Sequence, residues 1–162
     1  MTHEVHLRTL CFIRDGGRVL LIRRTHPPNA GMFNAIGGKI EPEEDPYEAC
    51  LREVEEETGL RLQEVTLRAI VTVLVEETRD RWILFTYTAE RPKDQEVLDS
   101  SPEGPLQWIP LEEIPRLPVP PDIPLLLPHL YKEGIVYAKV VYAREGDSTP
   151  VSVTVSSPAR RP

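Results

Sequence analysis

A capped amphipathic helix over Asp45–Thr58 is the feature that most constrains how this chain folds. Asp45 is a good N-cap residue, Pro46 suits the first helical position, and Glu48 completes a capping-box pattern. Gly59 supplies the C-terminal stop. One side of the helical wheel carries the residues expected to pack on a core, which are Tyr47, Cys50, Leu51, Val54 and Thr58. A helix with such a face needs a second layer of structure to cover it.

The stretch from Gly37 to Leu60 is also strongly acidic, with nine carboxylates. Three of them share one face of the wheel with Ala49, namely Glu53, Glu56 and Glu57. Like charges at this spacing destabilise a bare helix, but a hard cation such as Mg²⁺ or Mn²⁺ would be bound by their oxygens. Arg52 could orient one carboxylate through a two-pronged hydrogen bond. The alternative is an acidic face that contacts only solvent, as we expect for Glu48 and Glu55.

Apolar, β-favouring runs lie on both sides of this helix. Glycines and turn residues between them predict two hairpins. The predicted strands are Thr9–Ile13, Val19–Ile22, Val65–Glu76, Trp82–Thr88, Ile135–Ala143 and Val151–Val155. Residues 91–107 are expected to form a loop, and the proline-rich stretch after them to contain turns and one short helix. Strands mixed with two helices predict an α/β sandwich of one domain.

Charge and composition exclude several classes of protein. The 162 residues carry a formal net charge of −7, which argues against binding of polymeric nucleic acid. No apolar run approaches the ~20 residues of a membrane helix, and the N-terminus lacks the pattern of a signal peptide. Cys11 and Cys50 are interpreted as buried, reduced thiols. A cytoplasmic protein without a membrane partner is expected.

The acidic stretch resembles the Nudix box, G-x5-E-x7-R-E-U-x-E-E-x-G-U, in which U is aliphatic. All of its constrained positions are met, at Gly38, Glu44, Arg52, Glu53, Val54, Glu56, Glu57, Gly59 and Leu60. Nine constrained positions make this a specific signal. The order of elements outside the box also resembles a Nudix α/β/α sandwich with a mixed β-sheet. The domain is expected over residues 1–156, with residues 157–162 as a disordered tail.

This resemblance implies a Mg²⁺- or Mn²⁺-dependent pyrophosphohydrolase that acts on a small nucleotide. Carried over by position, the metal ligands would be Glu53, Glu56, Glu57 and the carbonyl of Gly38. Arg52 would orient the glutamates, and Glu44 would support the corner between loop and helix. The oligomeric state is left between monomer and homodimer.

Outside the box, the chain resembles the diphosphatases of oxidised purine nucleoside triphosphates such as 8-oxo-dGTP. By that resemblance, Asn34 and Asp122 would read the purine and Glu103 would be a further metal-binding or base carboxylate. The position of the usual tryptophan is occupied by Pro120, so either Phe33, Trp82 or Tyr87 would stack on the base or the stack would be absent. Arg24 is a candidate phosphate contact. The products would be a nucleoside monophosphate and pyrophosphate.

Structural roles compete with several of these assignments. Asn34 could stabilise a turn, Asp122 could cap a helix, Glu103 could be a loop acid, and Arg24 could form a surface ion pair. Other functions also remain open. They are hydrolysis of a dinucleoside polyphosphate or nucleotide sugar, and a non-catalytic Nudix domain that senses a nucleotide.

Overall fold

The computed structural model describes residues 3–27 and 29–156, and the predicted tail at 157–162 lies outside them. Over these residues the chain forms ten strands, two α-helices and one 3-10 helix. The strands are β1 (Val5–Asp15), β2 (Arg18–Arg23), β3 (Phe33–Asn34), β4 (Ile36–Lys39), β5 (Thr66–Val75), β6 (Arg81–Glu90), β7 (Ser100–Ser101), β8 (Gly104–Pro110), β9 (Val136–Tyr142) and β10 (Ser152–Ser156). The helices are α1 (Pro46–Thr58) and α2 (Asp122–Leu130), and the 3-10 helix is Leu111–Arg116.

The strands form one mixed sheet in the order β10-β9-β5-β6-β1-β2-β8-β7, with β3 paired to β2 and β4 paired to β1. β1 runs parallel to β6, and β5 runs parallel to β9. The other pairs are antiparallel, including the two predicted hairpins β1–β2 and β5–β6. The sheet is therefore mixed, as expected.

Alternation along the strands builds a separate apolar layer on each face of the sheet. Cys11 and Ile13 of β1 join a cluster that includes Val54 of α1. Phe12, between them in sequence, joins the opposite cluster with Leu126 of α2. One helix thus covers each face, which confirms the α/β/α sandwich of a single domain.

Helix α1 begins and ends as its sequence predicts. The Asp45 carboxylate accepts a hydrogen bond from the Glu48 N–H at 2.8 Å, and the Glu48 side chain accepts one from the Asp45 N–H. Gly59 has the left-handed φ of 79° and donates its N–H to the Glu55 carbonyl. The capping box and the glycine stop therefore fix both ends of the helix that carries the acidic face.

Two expectations about burial and secondary structure need correction. Ala49, assigned to the acidic face, is buried, whereas Tyr47, assigned to the core face, is 39% exposed. The helical period was predicted correctly, but the face of α1 that packs on the sheet is rotated towards Ala49. The predicted loop 91–107 contains β7 and the start of β8, because β8 pairs with β2 over Leu106–Pro110. That pairing joins distant segments, and the local sequence of short, Pro-interrupted runs does not reveal it.

No helix in the described part of the chain is long and apolar enough to cross a membrane.

Candidate active site

Arg52 lies at the centre of the site and binds the loop before α1 to the acidic face of α1. Its Nε and Nη2 donate to the two oxygens of Glu44, at 2.6 and 2.8 Å. Its Nη1 donates to Glu53 at 2.9 Å and to Glu56 at 3.2 Å. Nη2 also donates to the carbonyl of Lys39 at the end of β4. One guanidinium therefore sets the positions of three carboxylates and one strand end.

These contacts shift the pKa values of Arg52 and Glu44 in the directions that favour their charged forms. The hydrogen bonds from Arg52 lower the pKa of Glu44 below its usual value. The same hydrogen bonds, with Glu44 contributing most, raise the pKa of Arg52. Arg52 and Glu44 are thus both charged at neutral pH, and their two-pronged pair forms the corner between loop and helix.

Two consecutive glycines let β4 approach α1 and β1 closely. A Cβ atom on Gly38 would lie 2.6 Å from the carboxyl carbon of Glu53. A Cβ atom on Gly37 would collide with the backbone carbonyl of Thr9 in β1. Only glycine fits at position 37, and at position 38 any Cβ would displace the Glu53 carboxylate, beside which the backbone of β4 runs directly.

Glu57 is the buried carboxylate of the group. The residue is 6% exposed, and its Oε2 is buried without a hydrogen-bond partner among the described residues. Burial, followed by the charges of Glu103 and Glu53, raises the pKa of Glu57 to about 8, although the N–H of Gly37 donates to it and lowers the pKa. Burial also raises the pKa of Glu53. An unpartnered, buried carboxylate oxygen is costly unless a cation or a proton reaches it.

As the side chains stand, no three His, Cys, Asp or Glu side chains of the described residues are grouped closely enough to hold a metal ion. Glu53 and Glu56 turn towards Arg52, while Glu57 does not contact it. The donor chemistry nevertheless fits Mg²⁺ or Mn²⁺, since carboxylate and carbonyl oxygens are the ligands these ions prefer. Mg²⁺ also keeps several waters and substrate oxygens, so it does not need a closed set of protein ligands.

A cavity of about 530 Å³ lies beside these carboxylates. Four of the predicted site residues line it, namely Arg24, Asn34, Gly38 and Glu103. Arg24 donates to the Glu103 carboxylate at 3.1 Å, and the Asn34 carbonyl oxygen accepts the N–H of Ala35 at 2.8 Å. The predicted ion pair of Arg24 and the predicted turn contact of Asn34 are therefore both present, inside the cavity.

Phe33 and Asp122, although described, do not line this cavity. Phe33 is part of the core beneath Arg23, and Asp122 is buried in the first turn of α2 without acting as its N-cap. Burial raises the pKa of Asp122 above its usual value. Of the aromatic residues considered for stacking, Trp82 lines the cavity, with its ring stacked on His6 at 4.6 Å.

Sequence reasoning missed Arg8 and Lys39, which also line the cavity. They are direct partners in the antiparallel pairing of β1 with β4. Their proximity depends on the register of two strands far apart in sequence, and no local motif marks it. Two like charges placed opposite each other on paired strands repel, and an anion between them would relieve this.

Comparison with known proteins agrees with this fold. The model of the NUDIX domain matches residues 4–130. A Nudix hydrolase of Bacillus subtilis, YvcI, is 30% identical over 85% of this chain and 87% of its own length. The CTP pyrophosphohydrolase of Escherichia coli is 33% identical over 70% of this chain and 82% of its own length. The crystal structure of a MutT protein from Bacillus halodurans is 29% identical, with a TM-score of 0.81 over 93% of this chain and 97% of that one.

The match covers the described fold from β1 to the end of α2, and it includes every residue that meets around Arg52. The chain therefore belongs to the Nudix family and is a hydrolase of phosphoanhydride bonds.

Proposed function

We propose that this chain is a Mg²⁺- or Mn²⁺-dependent pyrophosphohydrolase that converts a nucleoside triphosphate to a nucleoside monophosphate and pyrophosphate. The observation that carries the proposal is the unpartnered, buried oxygen of Glu57. It belongs to a group of carboxylates beside a cavity of about 530 Å³, a volume typical of a small-molecule site. A divalent cation would bind both this oxygen and the polyphosphate of a nucleotide.

Glu53, Glu56, Glu57 and the carbonyl of Gly38 would hold the cation. When bound, it would neutralise phosphate oxygens and acidify a water molecule. The protein supplies orientation, because Arg52 holds Glu53 and Glu56 through the hydrogen bonds described above. Glu103 is the proposed proton acceptor for the attacking water, since it lies at the cavity wall and its charge raises the pKa of Glu57.

Three cationic side chains, Arg8, Arg24 and Lys39, line the same cavity and are proposed to contact the phosphates. The pairing of Arg8 with Lys39 across two strands supports an anion between them. A triphosphate carries enough negative charge to bridge the cations on one side and a metal ion on the other. This arrangement favours a triphosphate over a substrate with a single exposed phosphate.

The base of the substrate is proposed to be a purine, including oxidised forms such as 8-oxoguanine. Asn34 supports this, because its amide nitrogen remains available as a donor in the cavity while its oxygen accepts from Ala35. Trp82 offers a ring for stacking at the same wall. Phe33 and Asp122 would contact the base only after a rearrangement of the core. We therefore propose Asn34 and Trp82 as base contacts in preference to them.

A cytidine nucleotide is the second candidate, favoured by the likeness to the CTP pyrophosphohydrolase of Escherichia coli. An amide side chain such as that of Asn34 can also pair with the edge of cytosine. The two candidates share the triphosphate and differ only in the base.

The test is a panel of nucleotides incubated with the protein and Mg²⁺, with products separated by chromatography. The panel contains 8-oxo-dGTP, dGTP, CTP, ADP-ribose, a dinucleoside tetraphosphate and a nucleotide sugar. Release of pyrophosphate from a triphosphate supports the proposal. The triphosphate that is cleaved fastest shows which base the pocket prefers. Cleavage of only the dinucleotide or the sugar nucleotide would reject it. Binding of nucleotides without any turnover would instead indicate a sensor domain.

A further inference from the structure

A second cleft, of about 560 Å³, opens at the opposite end of the central strands. Arg14 at the end of β1 lines it, whereas Arg8 near the start of β1 lines the active-site cavity. At a rise of ~3.3 Å per residue these positions are about 20 Å apart along the strand. The end of β6, the start of β5, the end of α2 and the loops around 61–64 and 91–95 form the remaining walls. The two cavities are therefore separate sites.

The second cleft is basic, although the chain as a whole is acidic. Its lining includes two carboxylates, Glu64 and Glu90. It also includes five cationic side chains, Arg14, Arg61, Arg68, Arg91 and Lys93. With a formal net charge of −7 for the whole molecule, this local excess of positive charge would attract an anion.

Three of these cations have carboxylate partners within the protein, and two do not. Arg14 pairs with Glu90, Arg61 with Glu55, and Arg91 with Asp15. In contrast, Arg68 and Lys93 form no ion pair with any residue that the structure describes. Arg68 and Lys93 are thus available to a ligand, while Glu64 is the one carboxylate of the lining without an ion pair among the described residues.

The backbone places Arg68 in the cleft by an irregularity of the sheet. The register between β5 and β6 shifts between Leu67 and Ala69, so Arg68 is the additional residue of a β-bulge. Its Nε is buried and has no hydrogen-bond partner in the described structure. Bulges redirect side chains and are common beside binding sites. A ligand that supplied an acceptor at this bulge would satisfy the buried donor of Arg68.

Tyr131, on another wall of the cleft, has the same property. Its hydroxyl oxygen is buried and has no partner among the described residues. The guanidinium of Arg14 lies over its ring, 4.6 Å from the centroid. Burial raises the pKa of Tyr131 to about 12, so the hydroxyl keeps its proton at neutral pH and can donate it. Buried polar atoms are nearly always hydrogen-bonded, and here two unpartnered ones belong to residues of different elements that line one cleft.

We propose that this cleft is a second binding site, for a small anion with several phosphate groups and about the size of a nucleotide. Arg68, Lys93 and the hydroxyl of Tyr131 would be its donors. Guanidinium groups bind phosphate through two parallel hydrogen bonds, which a phosphate oxygen pair satisfies. The cleft volume lies within the range of small-molecule sites. A free nucleotide and an inorganic oligophosphate share this chemistry.

Isothermal titration calorimetry of the full chain in EDTA tests the proposal with inorganic tripolyphosphate and, separately, with ATP. EDTA removes the divalent cation proposed to join a triphosphate to the carboxylates around Arg52, and the variants below show which cleft holds the anion that still binds. We expect both probes to bind, with affinity falling as salt is raised. Tighter binding of ATP would identify a nucleotide site, and equal binding a site for the phosphates alone. No binding of either probe at millimolar concentration would overturn the proposal.

Variants locate the bound anion. Arg68→Gln and Lys93→Gln should each weaken tripolyphosphate binding by about tenfold or more. Lys93 is exposed on a loop, so its substitution gives an answer even if Arg68→Gln does not fold. Arg116→Gln, on the exposed 3-10 helix, removes the same charge elsewhere and should leave the affinity unchanged. Glu53→Gln should also leave it unchanged. Equal weakening by Arg116→Gln, or insensitivity to both Arg68→Gln and Lys93→Gln, would refute the site.

Discussion

At the scale of single residues, one arginine organises the acidic centre. Arg52 contacts three carboxylates and the carbonyl of Lys39, so it offsets the repulsion that Glu53 and Glu56 would otherwise exert on α1. Lysine has the same charge but cannot form the two parallel bonds to Glu44. The shape of the guanidinium, beyond its charge, is therefore required.

Substituting Arg52 with lysine should separate shape from charge. We expect kcat to fall by about 10–100-fold, because the glutamates lose their fixed orientation. Arg61→Lys is the matched control, since Arg61 pairs with Glu55 on the exposed side of the same helix. Steady-state kinetics with the best triphosphate of the panel measures the effect. Equal rates for Arg52→Lys and the wild type would contradict the positioning role.

Two glutamates of α1 offer a second matched pair. Glu53→Gln should lower kcat by about 100-fold or more, since a proposed metal ligand loses its charge while the side chain keeps its shape. Glu55→Gln, on the exposed face, should change kcat by less than about twofold. Mg²⁺ titrations of both variants check the reason, because only Glu53→Gln should need more Mg²⁺. A Glu53→Gln enzyme as fast as the wild type would remove the proposed mechanism.

At the scale of elements, the site depends on how closely β4 approaches its neighbours. Gly37 faces the backbone of β1, while Gly38 faces the side chain of Glu53. Backbone cannot move without disturbing the sheet, whereas a side chain can rotate. Gly37 is therefore needed for the stability of the fold, and Gly38 for the position of the Glu53 carboxylate.

Alanine at each glycine should show this division. Gly37→Ala should reduce the free energy of unfolding by about 1–3 kcal/mol or more, as overpacking does in cores. Gly38→Ala should change the melting temperature little but lower kcat at least about tenfold, because Glu53 must turn away. Thermal unfolding followed by circular dichroism, together with kinetics, measures both. Similar losses of stability in the two variants would disprove the distinction.

At the scale of the whole molecule, the buried Asp122 lowers stability at neutral pH. Burial raises its pKa in the folded state above the unfolded value. The folded state therefore binds the proton more tightly, and this stabilisation is present at low pH and lost as the pH rises through the folded pKa. Keeping an ionised carboxylate there has a cost that Asn would avoid.

Asp122→Asn should therefore raise the melting temperature at pH 7–8, and the difference from the wild type should vanish towards pH 4. Asp99→Asn, at an exposed position, is the control for removing a carboxylate that is not buried. Differential scanning calorimetry across this pH range measures it. A destabilised Asp122→Asn at every pH would mean that the carboxylate makes a necessary contact. If the variant is more stable but discriminates less well between nucleotide bases, Asp122 lowers stability in return for recognition of the base.

Local sequence determines some of these features and tertiary pairing determines the others. The helix caps, the shared face of Glu53, Glu56 and Glu57 and the two hairpins lie within short segments, so composition and spacing predict them, whereas the pairing of Arg52 with Glu44 is seen only in the structure. Arg8, Lys39 and the β8 pairing depend on which distant strands become neighbours. The same limit applies to Phe33, whose depth in the core follows from the position of α2. The cavity walls therefore required the structure, whereas the acidic centre did not.

The parallel pairing of β1 with β6 also has a consequence for how the chain acquires its shape. Arg14 and Glu90, bonded across these strands, are 76 residues apart in the chain. The centre of the sheet therefore cannot close until most of the domain has been synthesised, and contacts over such separations make folding slow. During that time the edge of β1 that pairs with β6, and the face of β1 that α2 covers, have no permanent neighbour. We expect a truncated chain that ends after α1 to aggregate instead of folding.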